Sequence, residues 1–123
     1  MDVKLYWDAV IRQDKDEMLG FFNEDAYIRW HNTNEQFTVE QFIRANCEYP
    51  GEWDGEIERI ENISDLVITV TRIWTKDREL FFHVVSFIKV HNNKISSIDE
   101  YWGDDGKAPK WRVDLAIGEA IAR

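Results

Sequence analysis

A chain of 123 residues, 44% apolar and 32% charged, has the size of one ordinary domain and buries about two-thirds of the surface that its unfolded form exposes. Fifteen Lys and Arg against 24 Asp and Glu leave a net charge of −9, a field that repels nucleic-acid phosphates and anionic lipid and makes both poor partners. Cys47 is the single cysteine, which excludes an internal disulfide and any metal site built on several thiolates, and no apolar run approaches the length that crosses a bilayer.

Met1-Asp2-Val3-Lys4 is not a charged leader followed by an apolar stretch, so no signal peptide is expected and a cytoplasmic location is the default. Val3, Tyr6, Trp7, Val10 and Ile11 recur at helical spacing and predict an amphipathic first helix. Asp14-x-x-Glu17 caps a second, short helix carrying Met18, Leu19, Phe21 and Phe22, after which Asn23-Glu24-Asp25 turns the chain. Residues 26–32 alternate Ala26, Ile28 and Trp30 with Tyr27, Arg29 and His31, the period of a strand. Asn32 to Glu35 is turn chemistry, and Thr38-x-x-Gln41 is a capping box opening a helix with the stripe Val39, Phe42, Ile43, Asn46 and Cys47. Tyr49-Pro50-Gly51 ends that helix. Four strands are expected next, over 53–62, 66–75, 80–91 and 94–102, with a tight hairpin at Asn92-Asn93 and a turn at Lys76-Asp77-Arg78. A loop at 104–109 and a short helix over 113–122 complete the chain as a single α+β domain without repeats or linkers.

This order of elements resembles the nuclear transport factor 2-like superfamily, which includes SnoaL-like cyclases and ketosteroid isomerases. The resemblance covers nearly the whole chain and rests on Glu24-Asp25-Ala26 leading the first strand, the helix after Phe37-Thr38-Val39, and Asn93-Lys94-Ile95 entering a last strand that ends Glu100-Tyr101-Trp102. It implies a cone-like fold with N-terminal helices packed in a strongly curved, mostly antiparallel sheet, a pocket at one end of the cone, and homodimers. Fold membership does not choose a reaction, because the superfamily hosts isomerases, cyclases, dehydratases, hydrolases and proteins that only bind or dimerise.

Six tryptophans are the main compositional oddity, and a cavity lined by aromatics with a few polar groups is the usual form of a small-molecule site. Trp30, with Ile28 and Ala26 on an inward face, is the leading wall residue, joined by Trp53 and Trp102, with Asn46 and Arg72 as polar binding groups. On the last strand Asp99 and Tyr101 share one face, while Ile98, Glu100 and Trp102 share the other. An inward Asp99 would be a general acid or base with Tyr101 as an oxyanion donor; the opposite parity would make Trp102 the pocket residue. His83 paired with Asp99 across adjacent strands would resemble the acid/base arrangement of SnoaL-like cyclases, and the same histidine equally suits a structural place in the sheet or at a partner subunit. Arg72, on a face with Ile68, Val70 and Trp74, would hold Asp99 ionised if it reached it, and so argue for binding or structure over acid chemistry. His31, His83 and His91 have no close metal-ligand spacing, no Gly-rich loop cradles phosphate, and Ser86 has no nucleophile-elbow context, so neither metal nor cofactor is expected.

Two functions follow as expectations. One is a cofactor-independent enzyme moving protons on an apolar small molecule, with Asp99 and His83 as acid and base and Tyr101 or Asn46 as orienting donors. The other is a non-catalytic module that captures an apolar or aromatic ligand or dimerises through the sheet, with Ile73, Val67 and Phe81 at the interface.

Overall fold

The computed structural model describes residues 1–122 and contains four helices, α1 (Val3–Arg12), α2 (Lys15–Leu19), α3 (Val39–Cys47) and α4 (Lys110–Asp114). Six strands, β1 (Phe22–Trp30), β2 (Glu35–Thr38), β3 (Trp53–Ile63), β4 (Leu66–Thr75), β5 (Phe81–His91) and β6 (Lys94–Asp104), form one sheet in the order β2-β1-β6-β5-β4-β3. Every neighbouring pair is antiparallel except β1 with β6, which run parallel in the middle of the sheet. Helices α1 to α3 cover one face, so the domain is α+β as the sequence indicates.

The local chemistry accounts for most boundaries. The Asp2 carboxylate accepts from the amides of Lys4 and Leu5 at the start of α1, and Asp14 accepts from Glu17 at the start of α2. Thr38 and Gln41 complete both halves of the capping box on α3. Asn92 and Asn93 adopt φ of 51° and 64°, the left-handed pair that a two-residue hairpin needs between β5 and β6.

Three expected boundaries shift. Asn23-Glu24-Asp25 does not turn the chain: β1 already begins at Phe22, and these residues fall where the β1–β6 register jumps between Phe22 and Tyr27, forming a bulge. The Asn23 side-chain amide donates to the carbonyls of His91 and Lys94, fastening the bulge to the hairpin. Strand β2 emerges from what reads as turn and cap, because its four residues pair with β1 across a turn too short to leave them free. The final helix covers only Lys110–Asp114, and residues 115–122 beyond it are exposed.

Alternation along the strands gives the sheet two distinct faces. Thr69, Thr71 and Ile73 on β4, Val84, Ser86 and Ile88 on β5, and Ile98 and Glu100 on β6 are buried. They face Tyr6, Trp7 and Val10 of α1 and Phe42 and Ile43 of α3; the Trp7 indole N–H donates to the Thr69 hydroxyl at 3.0 Å and pins α1 to the sheet. The outer face carries Ile68, Val70, Arg72 and Trp74, then Phe81, His83, Val85 and Phe87, then Asp99 and Tyr101, most of them half-buried. The expected interface set therefore splits: Phe81 faces outward, but Ile73 and Val67 pack toward the core because their register partners, Phe82 and Ile88, point inward. No described helix is long and apolar enough to cross a membrane.

Candidate functional site

Where α1, α3 and the ends of β1, β4, β5 and β6 converge, the inner face leaves a cavity of about 260 Å³. Val10 and Ile73 are the buried part of its wall, while Asn32, Thr33, Tyr49 and Asp104 are exposed and mark its mouth. Between them stand five aromatic rings in sequence. Trp30 meets Trp102 edge-to-face with centroids 6.2 Å apart, Trp102 meets Phe82 at 6.2 Å, Phe82 meets Trp53 at 5.9 Å, and Trp53 meets Tyr49 at 5.1 Å. Phe37 supports Trp30 from β2 at 4.7 Å. All but the tilted Trp53–Phe82 pair are edge-to-face, a favoured aromatic arrangement.

The polar lining is held by the backbone around it. Asn46 donates its side-chain amide to the Val10 carbonyl at 2.9 Å, which answers why a polar residue sits on the α3 stripe. Gln13, in the left-handed conformation that ends α1, donates to the carbonyls of Asn46 and Tyr49. The Asn32 side-chain oxygen accepts from the Trp102 backbone amide at 2.8 Å and ties the turn after β1 to β6.

Behind the ring wall lies Glu100, only 1% exposed. One carboxylate oxygen accepts from the Trp30 indole N–H at 3.0 Å and the other from the Ser86 hydroxyl at 2.6 Å. Burial drives its pKa upward, and the bonds from Ser86 and Trp30 pull it partly back; the Trp102 indole N–H adds a weaker pull without a hydrogen bond of normal geometry. Tyr6, wholly buried, leaves its hydroxyl without a partner among the described residues, and burial together with the Glu100 charge raises its pKa well above the ordinary phenol value.

Of the residues singled out from the sequence, Trp30, Asn46, Trp53 and Trp102 come together on this cavity. Asp99, Tyr101, His83 and Arg72 lie on the opposite face of the sheet, because parity on β6 turns Ile98, Glu100 and Trp102 inward. There Asp99 pairs with His31 at 2.7 Å, and the His31 ring stacks on Tyr101 at 4.6 Å, with planes 9° apart. His83 sits between Glu58 at 2.9 Å and Asp105 at 2.5 Å. Arg72 lies beside Glu56 at 3.8 Å and over the rings of Trp74 and Phe81, with β5 separating it from Asp99, so neither the His83–Asp99 nor the Arg72–Asp99 pair forms. Sequence reasoning assigned no role to Glu100, Gln13, Tyr49 or Phe82. Glu100 had a usable signal, a carboxylate between Ile98 and Trp102 on the more apolar face of its strand; the others acquire their place only from tertiary packing.

No protein-family model matches the sequence, and no curated protein matches it. Solved structures do. A candidate ketosteroid isomerase from Kribbella flavida DSM 17836 superposes with a TM-score of 0.80 at 20% identity, over 98% of this chain and 87% of that one. An NTF-2 like protein of unknown function from Burkholderia xenovorans LB400 gives 0.78 at 22% identity, over 98% and 92%. A protein of ketosteroid isomerase-like fold from Catenulispora acidiphila DSM 44928, solved in complex with trimethylamine, gives 0.69 at 14% identity, over 80% and 82%. The chain thus has the nuclear transport factor 2-like fold that these ketosteroid isomerase-like structures share.

Proposed function

We propose that this protein binds a small, largely apolar molecule in the aromatic cavity and that binding, not acid/base catalysis through Asp99 and His83, is its primary activity. One observation carries the reading: the cavity wall is built from Trp30, Trp53, Trp102, Phe82 and Tyr49, while Asp99, His83 and Tyr101 are turned to the other side of the sheet. A cavity of about 260 Å³ falls just below the ~300–1,000 Å³ usual for drug-sized ligands, which favours a compact guest. That a protein of the same fold was solved with trimethylamine supports small-molecule capture as a use of this architecture. A titration of intrinsic tryptophan fluorescence with small neutral aromatics such as indole tests it. A saturable change is expected in the parent protein and in Asp99→Asn, and its loss in Ala45→Phe, whose ring fills the cavity from α3. Linear, unsaturable responses in the parent would reject the reading.

A second reading is favoured by Glu100 alone. A buried carboxylate with an elevated pKa behind the ring wall has the properties of a general base, and it would act if Trp30 or Trp102 rotated to admit substrate. We infer also that two copies pair through the outer sheet face, where Val70, Val85 and Tyr101 stand side by side in register. The single half-buried thiol and the absence of disulfides suit a reducing, cytoplasmic setting.

A further inference from the structure

The ring wall has a chemical sign. Its five rings are tilted successively by 64°, 38°, 82° and 68° from Tyr49 round to Trp30, so a guest meets ring faces as well as edges. Ring faces carry the negative part of the aromatic quadrupole. Among the described residues no Lys, Arg or His lines the cavity. Asn46 and Gln13 commit their amide N–H groups to the carbonyls of Val10, Asn46 and Tyr49, which leaves their oxygens, both acceptors, for a guest. Two carboxylates complete the surroundings: Asp104, exposed at the mouth, and Glu100, directly behind Trp30 and Trp102. The field of the whole chain, at a net charge of −9, has the same sign.

Such a site discriminates between classes of apolar molecule. An anion would meet ring faces and acceptors with no cation to answer it, and only the Asn32 amide and the Thr33 hydroxyl at the mouth to donate. A neutral guest would gain the burial of its apolar area and little else. An apolar cation gains that area, the attraction of the rings and the field of two carboxylates, and it needs few hydrogen-bond donors. The geometry points to a compact organic cation, a tertiary or quaternary ammonium group, as the ligand class of this cavity. The inference rests on the small-molecule reading above and narrows it.

The test compares guests of one shape and different charge. Choline and tetramethylammonium are titrated against the protein by calorimetry, alongside the neutral isostere 3,3-dimethyl-1-butanol and the neutral aromatic indole. Choline is expected to bind about tenfold or more tighter than its isostere, the difference a desolvated cation–π contact makes. Glu100→Gln, which keeps the shape of the wall, is expected to weaken the two cations and leave the neutral guests unchanged; a purely structural role for Glu100 would weaken all four. Asp104→Asn, at the exposed mouth where folding is not at stake, is expected to act in the same direction. If the neutral guests bind and the cations bind no tighter, the ligand class is overturned while small-molecule binding stands. If none of the four binds to protein whose circular dichroism shows it folded, both readings fall.

Discussion

Asp99 and Glu100 are adjacent in the chain and sit in opposite environments. Asp99 faces the outer side of the sheet beside His31, while Glu100 is buried among Trp30, Ser86 and Tyr6. The alternation of β6 was legible in the sequence, but its parity was not, because both faces offered an acid and an aromatic ring: Asp99 with Tyr101, Glu100 with Trp102. Only the packing of Ile98 under the helices decides it. The placement has a pH consequence. Burial holds the Glu100 pKa above the ordinary carboxyl value, so the folded state binds its proton more tightly than the unfolded state does. Below the unfolded pKa both states are protonated and the difference vanishes; as pH rises through the unfolded value and up to the folded one, the unfolded chain is favoured and stability falls. Tyr6 is the other titratable group facing this carboxyl, and its raised pKa keeps it neutral across that window. Thermal unfolding at pH 4.5, 6 and 8 is therefore expected to show a smaller loss on raising pH in Glu100→Gln than in the parent, since the amide can still accept from Trp30 and donate to Ser86. An equal loss in both proteins would mean that Glu100 does not contribute.

At the scale of elements, the amphipathic stripe of α1, the capping box of α3 and the hairpin of β5 and β6 are local features, and each follows from a few consecutive residues. What local pattern did not convey is the long-range pairing. Asn23-Glu24-Asp25 has turn composition, and it becomes a bulge because the last strand arrives in parallel alongside it. Likewise Asn32 reads as a turn residue yet fastens β6 at Trp102. The crossing of α1 over β3 shows how close such contacts are. A Cβ added at Gly55 would come within 2.9 Å of both the Arg72 carbonyl oxygen and the Ile11 Cδ1, and the carbonyl cannot move aside without breaking the β3–β4 ladder. Gly55→Ala is expected to destabilise the protein by about 1–3 kcal/mol, as other forced overpacking does, measured by urea unfolding. A neutral result would mean that α1 can lift from the sheet at no cost.

The whole molecule combines a net charge of −9 with an aromatic cavity on one side of the sheet and a second, half-buried apolar field on the other. Val85, flanked by Val70 and Tyr101, lies near the middle of that outer field. A stable pair of copies would cover about 800 Å² on each, so a carboxylate placed there would be buried without a partner. Sedimentation velocity is expected to show a two-chain mass for the parent and a single-chain mass for Val85→Glu; a parent that stays at the single-chain mass at tens of micromolar would refute pairing through this face. The parallel pairing of β1 with β6 carries a different consequence. Trp30 and Trp102, the two indoles that flank Glu100, come from opposite sides of this junction, and Trp30 bonds to Glu100 across seventy positions of sequence. During synthesis from the amino end, helices α1 to α3 and strands β1 to β5 emerge before the strand that belongs at their centre, so the ring wall closes among the last events of folding. Such distant pairings fold slowly; binding competence would therefore report completion of the chain, and no amino-terminal fragment ending before β6 would hold the guest.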